Sequence, residues 1–286
     1  HSSDGLTLFL SLPRQLPCGH EYCKSCVAQL REKGVAQTCP VCRKPLPPGP
    51  DKLFDLGYRM YARIFAEIDL DRNASWGDLS LSPDQQRQMD QSRALLREAA
   101  DQGHMMAQVL CGELYWFGEG VARDDRLTFV YYKKAAQQGH VVSQFNTGVA
   151  YRDGTGCEQS YERAAEWFEK AARQGHSKAQ NLLGNLYYHG QGVTQSYERA
   201  VELFKQSAAQ GDPHGQNSLA VCYEDGVGVN KDYKEARRLI ALAAKQGHPD
   251  EAIEGLKAID EKINTECLLL SKRVVLTGTS REDLNG

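Results

Sequence analysis

Between about Leu95 and Gly247, apolar and polar positions recur along the chain every 36 residues. In one half of each period, Ala164, Trp167, Phe168, Ala171 and Ala172 fall at i, i+3, i+4, i+7 and i+8. That spacing gathers the side chains onto one stripe of an α-helix. The stripe returns as Ala200, Leu203, Phe204 and Ala208, then as Ala236, Leu239, Ile240, Ala243 and Ala244. In the other half, Ala107, Leu110, Cys111, Leu114 and Tyr115 define a second helix. Glycines punctuate both. Gly103, Gly139, Gly175, Gly211 and Gly247 each follow a Gln, where glycine supplies the left-handed residue that a helix C-cap favours. A Gly-x-Gly turn, as at Gly190 and Gly192, ends the other helix and lets the chain double back. A fixed period of this length predicts stacked helix pairs rather than one globular core.

The pattern A-x-x-L-x-G-x-x-Y-x-x-G-x-G-V, followed by A-x-x-x-[FWY]-x-x-A-A-x-Q-G, resembles the Sel1-like repeat. Ala179, Leu182, Gly184, Tyr187, Gly190, Gly192 and Val193 form its fullest copy, while Ala220 stands where Gly is usual and Cys157 replaces the Val. A tetratricopeptide array is the near relative, but its period of about 34 residues fits less well. The resemblance implies a mainly α fold, an α-solenoid of helix pairs that binds other proteins. Full repeats are expected at about 104–139, 140–175, 176–211 and 212–247, inside a solenoid of residues 83–263 that includes capping helices.

Outside the repeats the chain changes character. Residues 1–17 read as a loop, and residues 1–48 as a small module of their own. Pro45, Pro47, Pro48 and Pro50 make a stiff connection. Residues 49–82 form a linker in which Leu53, Leu56, Met60, Ile64 and Phe65 predict one amphipathic helix. Its apolar face fits either the N-terminal module or the end of the solenoid. A further helix is expected after Ser82, with Pro83 in its first turn. Through Leu95, Leu96, Ala99 and Ala100 it matches the second helix of a repeat that lacks its first, a half unit suited to capping. Residues 249–263 should add a last covering helix. Residues 264–286 form a polar tail, expected to be disordered over 271–286.

Composition narrows the function. The 286 residues carry a net charge of −3 with no long basic run, so nothing calls for nucleic acid. No stretch approaches the roughly 18 apolar residues of a membrane helix. Of nine cysteines, five lie between Cys18 and Cys42, with His20 among them. Clustered Cys and His indicate metal binding, and hence a reducing compartment, the cytoplasm or nucleus. Cys18, His20, Cys23, Cys26, Cys39 and Cys42 form three donor pairs within 25 residues. Thiolate and imidazole are the ligands zinc favours, which makes zinc the expected cofactor.

This spacing resembles the RING finger, whose eight ligands hold two zinc ions in a cross-braced order. Carried over, Cys18, His20, Cys39 and Cys42 complete one site. Cys23 and Cys26 supply half of the other, whose remaining cysteines lie N-terminal in the family, and no cysteine precedes Cys18 here. Either that pair lies upstream of His1, as the absence of an initial Met suggests, or the finger is degenerate. The resemblance further implies that Pro40 shapes a surface for a ubiquitin-conjugating enzyme, and that Arg43 is the bridging cation touching that enzyme and ubiquitin. The expected function is a RING-type E3 ubiquitin ligase with no covalent catalytic residue, its solenoid holding a protein substrate or scaffold partner. The alternative is a non-catalytic interaction scaffold with a relic finger.

Other candidates are structural. Cys111 and Cys222 read as small core residues. His104, His140, His176 and His248, each following a Gln-Gly, read as helix caps or surface residues. Tyr115, Tyr151, Tyr187 and Tyr223 read as core.

Overall fold

The computed structural model describes residues 14–15, 21–22, 48–67, 81–246, 256–266 and 268–269. The chain falls into two compact units, His1–Cys111 and Gly112–Gly286.

In the first unit, strands β1 (Arg14–Gln15) and β2 (Glu21–Tyr22) pair antiparallel, Arg14 opposite Tyr22 and Gln15 opposite Glu21. A strand thus stands inside the segment expected to be loop. Helix α1 (Pro50–Glu67) follows, then α2 (Pro83–Asp101). The start of α2 is built as Ser82 and Pro83 predict. Ser82 Oγ accepts from Gln85 N at 3.2 Å, and Gln85 Oε1 accepts from Ser82 N at 3.0 Å. This reciprocal capping box satisfies two donors that the helix itself cannot.

Helix α2 does not stand alone. Helix α1 lies along it as the first helix of a pair, with Leu53, Ile64, Met89 and Leu96 buried. At their closest approach Ser92 Oγ donates to the carbonyl of Gly57 at 2.7 Å. A Cβ on Gly57 would lie 2.9 Å from Leu96 Cγ. The linker helix therefore packs on the repeat side, and the long segment between α1 and α2 hides the pairing from a search at fixed period. Leu56, placed on the apolar stripe by its spacing, is exposed.

Helix α3 (Met105–Phe117) ends inside the second unit, which continues with α4 (Asp125–Gln137), α5 (Val141–Asp153), α6 (Tyr161–Arg173), α7 (Ser177–His189), α8 (Tyr197–Ala209), α9 (Pro213–Asp225) and α10 (Tyr233–Ala244). A helix over 256–266, α11, closes the described part. Odd-numbered helices from α3 to α9 are the first of each pair. From α5 onward each touches the second helix of its own pair and that of the pair before. Phe168 and Phe204 are fully buried, with Ala164, Ala171, Ala179 and Ala200 around them. Gly148 and Gly184 let these rings in, since a Cβ there would sit 2.6 Å from a ring carbon.

Two devices lock each repeat to the next. The first is a glutamine relay: Gln144 and Gln180 donate Nε2 to the carbonyls of Ala136 and Ala172, each at 3.2 Å. Their Oε1 atoms accept at 2.7 Å from Gln174 and Gln210, the glutamines of the Gln-Gly ends. The second is the late glycine of the turn. A Cβ on Gly192 would fall 2.3 Å from the carbonyl carbon of Tyr161, one repeat earlier. Across the end of the array, α11 buries Ile259 against Leu219, Ala236 and Leu239. It also pairs Asp260 with Arg237 at 2.6 Å and Lys262 with Glu224.

The remaining assignments divide. Cys111 and Cys222 are buried, and burial pushes the Cys222 thiol up to about 11. His104, His140 and His176 cap α3, α5 and α7, each ring Nδ1 accepting a backbone N–H three residues on, from Ala107, Ser143 and Ala179. Only Tyr151 of the four periodic tyrosines is buried; Tyr115, Tyr187 and Tyr223 are half-buried. Arg163 and Arg199 lie over the rings of Tyr151 and Tyr187, which keeps the outer ring faces in use.

Candidate interaction groove of the repeat array

The expected zinc ligands Cys18, His20, Cys23, Cys26, Cys39 and Cys42, with Pro40 and Arg43, lie outside the described residues. In sequence, Cys18 and His20 fall between the paired strands β1 and β2. The donor set itself fits zinc, five thiols and an imidazole in paired registers. Among the described residues no group of three or more His, Cys, Asp or Glu side chains could hold a metal. No described helix is long and apolar enough to cross a membrane.

What the described residues do form is a groove of about 730 Å³ in the second unit. Its wall is made by the first helices of successive repeats together with Asp125, Thr128, Phe129 and Tyr132 of α4. The end of α3 contributes Glu113, Trp116 and Phe117, α5 contributes Phe145, Asn146 and Val149, and α7 contributes Lys178, Asn181 and Asn185. His214 at the start of α9 closes the far side. Helices of one array present the same face again and again, so their outward stripes line up into one continuous surface.

The chemistry differs along this surface. At the α3 end, Phe117 is 61% exposed and Trp116 39%, with Arg123 over the indole at 4.5 Å. Glu113 is half-buried beside them. Burial raises its carboxyl above the ordinary carboxylate range. Burial raises the neighbouring Tyr132 phenol too, and the charge of Glu113 adds to it, while a hydrogen bond to Asn146 acts the other way. Tyr132 is therefore a neutral hydrogen-bonding group at any physiological pH. At the other end, Ser218 Oγ donates to Asn181 Oδ1 at 3.0 Å.

Among the described residues no Ser-His-Asp set, paired catalytic carboxylate or phosphate loop accompanies the groove. Its apolar floor with a few separated polar groups is the form of a binding site. These residues escaped the sequence reading, which follows positions that recur. The available signal was a departure from the period: Phe117 stands where the later repeats carry Asp153, His189 and Asp225.

Comparison with known proteins places both parts. The Sel1 repeat model matches residues 78–104, 106–140, 141–176, 177–212 and 213–248, more than half of the chain. The model of the C3HC4-type (RING) zinc finger matches residues 8–42, and a finger of that type binds zinc. Among solved structures, a Sel1 repeat protein from Oxalobacter formigenes is similar at 28% identity. The match covers 71% of this chain and 72% of that one, with a TM-score of 0.55. Among curated proteins, the E3 ubiquitin-protein ligase rnf213-beta of Danio rerio is 54% identical over 37 residues, 13% of this chain. The E3 ubiquitin-protein ligase TRIM56 of Homo sapiens is 34% identical over 70 residues, 24% of this chain. The matched parts span 1% and 9% of those two relatives' lengths.

Proposed function

Because the chain belongs to the Sel1 repeat family and joins its repeats to a RING-type zinc finger, we propose that it is a RING-type E3 ubiquitin ligase or the recruiting part of one. In this reading the finger binds a ubiquitin-loaded conjugating enzyme and the repeat array holds the protein to be modified. Cys18, His20, Cys39 and Cys42 hold one zinc ion, and Cys23 and Cys26 contribute to a second. Four protein ligands close a structural zinc site, so the metal supplies shape and no reactive water. Pro40 and Arg43 face the conjugating enzyme, where the planar guanidinium bridges several carbonyl oxygens.

The chemistry then belongs to the bound enzyme. The amine of a substrate lysine attacks the thioester carbonyl, an amide forms, and the enzyme's cysteine leaves as thiolate. The ligase contributes proximity and orientation, worth up to roughly 7–11 kcal/mol when reacting groups are well aligned. The observation that carries the reading is the union, in one chain, of a finger of this type with an array that presents an open groove. A reducing compartment, the cytoplasm or nucleus, belongs to the same proposal. The three cysteines of the described array are free thiols.

The test is ubiquitin-chain formation by the purified protein with activating enzyme, ATP and a panel of conjugating enzymes. Chains that disappear in Cys39→Ser and fade in Arg43→Ala support it. No chains with any member of the panel overturns it. The second reading is a non-catalytic interaction scaffold in which the finger built on Cys18, His20, Cys23, Cys26, Cys39 and Cys42 is a relic. The coding sequence ahead of His1 separates the two: a Cys-x-x-Cys there supports the ligase, and none supports the scaffold.

A further inference from the structure

The first helices of the four full repeats carry two kinds of position. One kind recurs, as in Gln108, Gln144, Gln180 and Gln216, or in Tyr115, Tyr151, Tyr187 and Tyr223. These are the relay and turn residues that hold repeats together. The other kind changes from copy to copy: Met106, Val142, Lys178 and His214 share one register, and Glu113, Val149, Asn185 and Val221 share another. Five of these eight side chains line the groove. Positions that vary beside positions that recur are released from the packing rule, and here they are the ones facing open space.

Their charges are not random. Three acidic groups of the wall are already engaged: Asp125 by Arg123 at 2.8 Å, Asp153 by Arg152 at 2.6 Å, and Asp212 by Ser207 Oγ at 2.8 Å. The side chain of Glu113 has no ion pair or hydrogen bond with another described residue, and neither has that of Lys178 or His214. An unpaired carboxyl thus stands at the α3 end of the groove and an unpaired ammonium at the α7–α9 end. Phe145 and Val149 of α5 lie between them.

Glu113 is half-buried, so its charge costs free energy in the empty protein and a cationic partner recovers it. Lys178 and His214 are exposed, and there a partner contributes more to orientation than to affinity. Neighbouring packed helices lie roughly 8–10 Å apart, and the groove runs across three such intervals. Glu113 on α3 is two such intervals from Lys178 on α7 and three from His214 on α9, so the unpaired ends are roughly 16–30 Å apart, too far for one small molecule and about five to nine residues of extended chain at roughly 3.3 Å each.

We propose that the groove seats an extended peptide segment with a cationic residue against Glu113, an apolar centre over Phe145 and Val149, and an acidic residue against Lys178 and His214. This deepens the reading of the array as the substrate arm and rests on it for the segment's origin. The asymmetry fixes one direction of the chain, because reversing the peptide sets like charges together at both ends.

The probes are four blocked, fluorescent eight-residue peptides with a common Phe-Leu centre and Arg or Glu at each end: Arg…Glu, Glu…Arg, Arg…Arg and Glu…Glu. Titrated against the full chain, one of the two mixed peptides should bind on the order of five- to tenfold more tightly than the other three. Lys178→Glu, an exposed change, should move the preference to Arg…Arg, and Glu113→Lys should move it to Glu…Glu. Circular dichroism on each variant separates a lost site from a lost fold. Equal binding of all four peptides, binding of none, or preferences that ignore both reversals overturns the inference. The titration needs no ubiquitin cascade. A chain that sorts the peptides but makes no ubiquitin chains keeps this site and loses the ligase reading, and the opposite result does the reverse.

Discussion

Replacing Gly184 with Ala tests the packing rule on which the array depends. In an exposed helix the change would stabilise by about 0.8–1.0 kcal/mol, because alanine is the better helix former. Here the new Cβ would lie 2.6 Å from Phe204 Cε1 and 2.8 Å from Cδ1. Phe204 is 1% exposed, inside a cluster with Val201, Leu219 and Ala220, and has no free space to retreat into. Overpacking of this kind costs roughly 1–3 kcal/mol, so the net effect is a loss of about 1 kcal/mol. The protein already contains the compensated pair. One repeat later Ala220 stands in the register of Gly184, and Ile240 stands in that of Phe204. Phe204→Ile on its own opens a small void and destabilises, yet in the Gly184→Ala background it removes the clash. The two changes together should therefore cost less than the sum of the two alone, with a coupling on the order of 1–2 kcal/mol. Urea unfolding of the full chain, wild type, both singles and the double, measures this. Hydrogen exchange at α7 and α8 amides supplies the local reading, because repeat arrays can depart from two-state behaviour. A higher unfolding midpoint for Gly184→Ala refutes the reasoning, as do single effects that add within about 0.3–0.5 kcal/mol.

Two further outcomes follow from other parts of the array. Gly175 and Gly192 both have positive φ, so alanine at either loses about 1–2 kcal/mol to the left-handed backbone. Only at Gly192 does the Cβ also meet a neighbouring repeat, whereas at Gly175 nothing lies within 4 Å. Gly192→Ala should therefore destabilise more, by roughly 1–3 kcal/mol, and equal unfolding midpoints would count against a locking role for the turn. The histidine caps make stability depend on pH. His140 and His176 accept backbone N–H groups through Nδ1, which only the neutral ring can do, and burial lowers both below the ordinary imidazole range, with Lys178 lowering His176 further and Asp212 opposing it. The folded protein then binds fewer protons than the unfolded one, so the caps' contribution is present above about pH 6.5 and is lost as pH falls through the depressed values. The urea midpoint should drop below pH 6.5 by an amount worth roughly 0.5–2 kcal/mol per cap. His140→Asn with His176→Asn should flatten that drop, and an unchanged slope would show that the caps do not titrate.

What was legible in the sequence, and what was not, follows from how a repeat protein is held together. Positions that pack against the neighbouring copy must solve the same problem in every copy, so they recur and announce themselves. That is why Phe168, Ala171 and Gly-x-Gly can be placed from periodicity alone. The first-helix role of α1 was hidden because it meets α2 across a connection longer than that of any full repeat. The glutamine relay was hidden for a different reason. Gln144 and Gln180 recur as faithfully as the glycines, but a polar residue within an apolar stripe reads as surface until its partners are seen. The groove was the least legible of all. Phe117, Lys178 and His214 of its lining face solvent, so packing imposes no pattern on them, and a reading based on recurrence discards them. The same logic turned round gives the rule for finding such a face. In an array with a strict period, the framework is where the copies agree, and recognition is left to positions where they differ while sharing one helical stripe. Lys178 and His214 satisfy that condition against Met106 and Val142, as Glu113 does against Val149 and Asn185. A charge that appears once in a register otherwise filled by apolar or neutral side chains lies outside the rule that stacks the repeats, and such a position is where a test for recognition belongs.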